Sequence, residues 1–173
     1  MNMKIASLPD AFEKSLYGGK SSALAQLSQA GVTIPSGYAV AFQEKDEINA
    51  FSDILLSYFD SLGVDFVAVR SSALAEDGNK TSWAGQLETY LNVPRPELIA
   101  AIEKCRKSAN SKRAIAYANK NNASSGSVAV LVQTMIESEI SGVAFSIHPV
   151  TQRKNQLEVE AVFGLGEALV SGE

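Results

Sequence analysis

The sequence predicts an α+β protein, and three features of its 173 residues carry that prediction. Stretches 20–30, 44–61 and 98–119 repeat apolar residues at helical spacing. Short strand-type apolar runs separate and follow them, at 32–42, 66–70, 89–93, 128–136, 142–147 and 157–163. Glycine and proline stand at the joints between the two kinds of segment.

Each element has a local reason. In the first helix Ala23, Leu24, Leu27 and Ala30 form one face, with Gly18 and Gly19 before it and Gly31 as its stop. Pro35 and Gly37 mark the turn into the strand that runs to Phe42. The second helix carries Ile48, Phe51, Ile54, Leu55 and Phe59. Phe66, Val67, Ala68 and Val69 make a short buried strand that delivers Arg70 to its end. Residues 71–86 read as an irregular polar loop. The strand at 89–93 is closed by Pro94 and Pro96, and 94–97 is the expected boundary between two lobes. Leu98, Ala101, Ile102, Cys105, Ala109, Ile115 and Ala116 supply the apolar side of the third helix. Residues 121–127 form a loop, three strands follow, and Gly164, Leu165 and Gly166 open a last segment. Neither an internal repeat nor a low-complexity tract is present.

Composition narrows the function classes. Hydrophobic residues make up 46% and charged residues 20%, ordinary for a globular protein. The net charge is −4 and the 15 Lys and Arg residues form no stripe, which excludes nucleic acid as the expected partner. One cysteine and one histidine cannot make an internal disulfide or a Cys/His zinc set; Cys105 is expected to pack as a small side chain. The first twelve residues include Lys4, Pro9 and Asp10, unlike a signal peptide, and no run approaches the ~20 apolar residues of a membrane span. A cytoplasmic protein without a membrane partner is expected.

Four places carry chemistry. Arg70, partly buried at a strand end, requires an anion: a structural partner among Glu76, Asp77 and Glu88, or a phosphate. Gly85 and Thr89 bracket a turn where a backbone could approach a ligand and a hydroxyl could reach a phosphate oxygen, or where an ordinary hairpin turns. Gly18-Gly19-Lys20-Ser21 looks like part of a Walker A loop, but that motif needs glycine at position 14, where Lys14 stands, and no strand leads in. The P-loop is rejected. Flexible glycines, a lysine and free N–H groups at a helix start still suit an anion, as they suit a solvated lysine. At the end of the 128–136 strand, Gln133 and Met135 could meet an adenine, or Gln133 could simply edge a core strand. Trp83 is expected to pack between elements. His148 is expected to be a turn residue without a catalytic role, and Glu158 and Glu160 a solvated strand face.

Five segments in order then resemble one family: Gly18-Gly19-Lys20 with its helix; Gly31-Val32-x-Ile34-Pro35-x-Gly37; the run from Val67 to Asp77; the run from Ala84 to Asn92; and Ser141-Gly142-Val143-Ala144-Phe145 through Gly164-Leu165-Gly166-Glu167. Together they resemble the N-terminal nucleotide-binding domain of the phosphoenolpyruvate synthase and pyruvate phosphate dikinase family, which rifampicin phosphotransferases and glucan water dikinases share. The resemblance implies an ATP-grasp fold, two lobes with mainly antiparallel sheets and flanking helices around ATP, incomplete here at the C-terminus. It implies a dikinase-type phosphotransferase that cleaves ATP to AMP and passes the β-phosphoryl group to a histidine on a separate swivelling domain. An acceptor-binding domain, in cis or in trans, would use that group. It further implies that Lys20 and Arg70 are the catalytic phosphate grip, that Gly85 and Thr89 lie over the phosphates, and that Gln133 and Met135 form the adenine hinge. Ligands for Mg²⁺ are expected beyond residue 173. The span from Tyr38 to Phe66 is short for the family, and His148 and Gln152 replace its usual residues. A stand-alone nucleotide-binding or regulatory module without turnover is the alternative, and an interaction domain a third reading. The acceptor, whether pyruvate, an antibiotic or a glucan, is left open.

Overall fold

A computed structural model describes residues 3–42, 48–73, 88–108, 128–148, 150–167 and 169. The chain divides into two compact units, Met1–Met135 and Ile136–Glu173. In chain order the first contains β1 (Lys4–Ser7), α1 (Lys14–Gln29), β2 (Gly37–Ala41), α2 (Ser52–Leu62), β3 (Phe66–Ala73), β4 (Thr89–Pro94), α3 (Leu98–Ser108) and β5 (Val128–Thr134). The five strands form one sheet in the order β1-β2-β5-β3-β4, antiparallel at each pairing. The last strand in sequence thus lies in the middle. Its near-continuous apolar run, Val128 to Val132, suits a strand covered on both faces.

Alternation along the strands sorts the side chains onto two different faces. On one lie Tyr38, Val40, Val67, Val69, Val130 and Val132, closed by Leu55 and Phe59 of α2 and by Leu98, Ile102 and Cys105 of α3. Leu55, Leu98 and Ile102 are fully buried, and each such aliphatic side chain contributes about 1.5–3 kcal/mol by leaving water. On the other face Ala39, Ala41 and Leu131 pack against Leu8, Ala11 and Tyr17, with α1 lying over β2, β3 and β5.

Several expectations shift. β1 was not predicted: it is a four-residue edge strand, too short to show a period. α1 begins at Lys14 rather than near residue 20, because Lys14–Tyr17 form a helical turn ahead of a break at Gly18. The second helix opens as a 3-10 turn, Ile48–Phe51, and then runs as α2. β3 continues past Arg70 to Ala73, since its ladder with β5 extends to the Ala73–Val128 pair. Residues 94–97, the expected lobe boundary, are the end of β4 and a 3-10 turn leading into α3, inside the first unit. The two compact units meet at Met135 and Ile136. The third helix is described to Ser108; its expected continuation lies outside the described residues.

The second unit is a two-stranded antiparallel ribbon of β6 (Ile140–Phe145) and β7 (Glu158–Phe163). Ser141 Oγ donates to the Gly164 carbonyl at 2.6 Å and Ser138 Oγ to the same oxygen at 3.1 Å, joining the two ends of the fifth sequence segment. His148 organises the connecting turn: its Nδ1 accepts the N–H groups of Val150 (3.2 Å) and Thr151 (3.3 Å). Glu158 Oε2 approaches the same nitrogen at 3.6 Å. The turn role foreseen for His148 is what the geometry shows. Among the described residues no helix is long and apolar enough to cross a membrane.

Candidate functional site

Strand register gathers three of the six expected binding residues. Arg70 on β3 stands opposite Leu131 of β5 on one side and Thr89 of β4 on the other. Leu131 belongs to the α1 side of the sheet, so Arg70 and Thr89 share that side. Gln133 lies two residues beyond Leu131, about 7 Å along β5, and therefore on the same face. It pairs with Ala68 of β3 and with Gly37 of β2. A Cβ at Gly37 would stand 2.2 Å from the Val132 carbonyl oxygen, so only glycine lets β2 approach β5 beside Gln133. Thr89 is exposed, Arg70 half-buried and Gln133 buried.

The fourth residue, Lys20, arrives on α1. Gly18 has φ 80° and ψ 171°, outside the helical region and open essentially to glycine alone. A Cβ there would lie 2.3 Å from Ser72 Oγ and 2.4 Å from the Ser72 carbonyl oxygen. The helix restarts after this break, so Gly19, Lys20 and Ser21 supply the first N–H groups of a new helical run. The Ser21 N–H donates to Ser72 Oγ at 3.4 Å, and Ser22 Oγ donates to the Phe12 carbonyl at 2.9 Å. Ser72 is two residues past Arg70 on β3 and on the same face. The helix start that carries Lys20 is thereby fastened to the strand that carries Arg70. What leads into the glycines is a helical turn, which agrees with rejecting the P-loop.

Met135 follows β5 and closes the first unit. Its N–H donates to the Phe66 carbonyl at 3.4 Å, so that donor is already used by the protein. Gly85 lies outside the described residues, as do Trp83, Glu76 and Asp77.

The opposite face fixes the root of β4. Ser71 points there: its N–H donates to the Glu88 carbonyl at 3.1 Å. Its Oγ lies within hydrogen-bond distance of the carbonyls of Glu88 (3.1 Å) and Cys105 (3.3 Å) and of Ser108 Oγ (3.1 Å). Cys105 Sγ donates to the Val69 carbonyl at 3.5 Å. Burial pushes the Cys105 thiol up to about 11, so it is a neutral packing group at neutral pH. Among the described residues no three of His, Cys, Asp and Glu come together as metal ligands, and magnesium is assigned no residue.

Sequence reasoning passed over Ser72, although a signal was available. With Val67 and Val69 taken as buried on one face, period two places Arg70 and Ser72 on the other and sends Ser71 to the core.

The pyruvate phosphate dikinase AMP/ATP-binding domain family matches residues 45–173. A probable phosphoenolpyruvate synthase of Archaeoglobus fulgidus is 51% identical over 110 residues, covering 62% of this chain and 14% of that protein. A rifampicin phosphotransferase of Bacillus cereus is 35% identical over 204 residues, covering 91% of this chain and 24% of its own length. A probable phosphoenolpyruvate synthase of Methanothermobacter thermautotrophicus is 30% identical over 208 residues, covering 91% and 30%. The chain thus spans less than a third of the length of these relatives. Alignments that cover 91% of it omit too little to miss all of the segment before residue 45, where Lys20 lies. The two longer alignments exceed the 173 residues available here, so both relatives carry segments that this chain lacks. A domain match over most of the chain, together with relatives aligned over nine-tenths of it, places this protein in the family of the pyruvate phosphate dikinase AMP/ATP-binding domain.

Proposed function

We propose that this chain is the ATP-binding part of a dikinase-type phosphotransferase with an ATP-grasp fold. Whole enzymes of this kind cleave ATP to AMP and pass the β-phosphoryl group to a histidine on another domain. The observation that carries the reading is the common sheet face: Arg70 and Thr89 face each other across β3 and β4, Gln133 lies on neighbouring β5, and the glycine break of α1 is fastened to Ser72. In this reading Lys20 and Arg70 hold the polyphosphate and stabilise charge that develops on the transferring group. Thr89 donates its hydroxyl to a phosphate oxygen, with Gly85 allowing close approach. Gln133 and Met135 border the adenine. Magnesium, when bound, would supply charge neutralisation on the phosphates. The phosphohistidine and acceptor domains are its partners.

Calorimetric titration with a non-hydrolysable ATP analogue, with and without Mg²⁺, tests the reading beside Arg70→Ala. Binding by the wild type, weakened about ten- to a hundredfold by losing a charge-assisted contact, is the expected result. Equal affinity in Arg70→Ala and the wild type would overturn the phosphate grip. Binding with no magnesium-dependent release of AMP by an assembled enzyme would instead identify a module without turnover.

A further inference from the structure

We infer that Ser72 is a positioning residue for the phosphate grip, acting through the backbone around Lys20; the inference rests on the nucleotide-binding reading above. Two independent features meet at this side chain. Its Oγ accepts the Ser21 N–H, one of the donors that a new helical run leaves unsatisfied. Its Oγ and carbonyl also occupy the volume that a Cβ at Gly18 would need. Ser72 is fully buried and Ser21 beside it is equally so, so the contact is shielded from water. Within that shield Ser21 Oγ has no hydrogen-bond partner among the described residues, and the bond from the Ser21 N–H to Ser72 Oγ ties the turn to β3.

The consequence is mechanical. Lys20 is held between Gly19 and Ser21, and Ser21 is tied to a residue two places from Arg70 on the same strand face. A shift of the α1 start therefore moves Lys20 relative to Arg70, and Ser72 sets that separation. A larger residue at 72 would push the glycine break outward, and one without an acceptor would release it.

The test is affinity for a non-hydrolysable ATP analogue and for adenosine, measured on the wild type, Ser72→Ala, Lys20→Ala and the double variant. Losing one buried hydrogen bond predicts about fivefold weaker binding of the triphosphate, with adenosine unchanged. In the Lys20→Ala background Ser72→Ala should cost nothing further, because its effect runs through Lys20. Should Ser72→Ala fail to fold, Ser72→Cys keeps the volume, weakens the acceptor and supports the same comparison. Equal loss for adenosine and triphosphate, full additivity with Lys20→Ala, or unchanged triphosphate affinity would each overturn this role alone. A wild type that binds no adenine nucleotide would overturn the proposed function and this role with it.

Discussion

The two faces of the five-stranded sheet differ in what they are made of. Toward α2 and α3 it presents Tyr38, Val40, Val67, Val69, Val130 and Val132, large and dry. Toward α1 it presents Ala39, Ala41, Ala129 and one large residue, Leu131, then Ser72, Arg70, Thr89 and Gln133. Small side chains let a helix start come close, and polar ones give it something to bond. One strand serves both ends: β3 sends Val67, Val69 and Ser71 one way and Ala68, Arg70 and Ser72 the other. The dry core and the proposed nucleotide face are thus separated by a single step along the chain.

That separation can be broken experimentally. The largest effect belongs to the dry face. Ile102→Ala should destabilise by about 2–5 kcal/mol, the range for truncating a buried aliphatic side chain, while nucleotide affinity of the folded protein stays at the wild-type value. Urea unfolding together with titration below the transition checks both halves. A comparable loss of affinity would show that the faces are coupled.

A smaller effect sharpens the contrast through pH. The Cys105 thiol is raised from 9.0 to about 11 by burial. The native state keeps its proton where the unfolded chain has lost it, so this stabilisation is complete below pH 9 and is lost as pH rises toward 11. The shift corresponds to about 2–3 kcal/mol at most. Cys105→Ala should flatten that part of the alkaline limb in urea midpoints measured from pH 8 to 11. Tyr38, whose hydroxyl is also raised by burial, should leave a residual slope at the upper end. An unchanged limb would mean that the thiol titrates normally.

The smallest effect lies at the rim. Arg95 grips Asp60 with two hydrogen bonds of 2.6 and 2.9 Å, both side chains being half exposed. The bond holds the Asp60 carboxyl below its ordinary 3.8, so any stabilisation is present above that pH and is lost as pH falls through the lowered value. Arg95→Ala should barely move the thermal midpoint at pH 7 and not at all at pH 2. A large shift at pH 7 would show that this link between α2 and the end of β4 bears more of the fold than an exposed pair should.

Much of this arrangement was legible in the residues, for reasons that also mark where reading stops. Long periodic stretches identified α1, α2, α3 and β5, because each buries one stripe or a continuous run. Pro94 and Pro96 do punctuate the chain, but tertiary packing keeps α3 on the same sheet, and local punctuation carries no information on that. The approach of Gly18 to Ser72 spans 54 positions and leaves no local trace beyond the paired glycines. Lys20, Arg70, Thr89 and Gln133 were each readable as candidates. The face that Arg70, Thr89 and Gln133 share depends on register, above all on β5 lying between β2 and β3.

The ends of the connection between β3 and β4 are clasped side by side: Ser71 donates its N–H to the Glu88 carbonyl, and Arg70 pairs with Thr89. In polymer terms that connection is a closed ring whose closure the sheet has already accomplished. Lengthening such a ring costs only logarithmically, about 0.6 kcal/mol for each doubling. Residues inserted between Ala73 and Glu88 should therefore cost the β3–β4 pairing little.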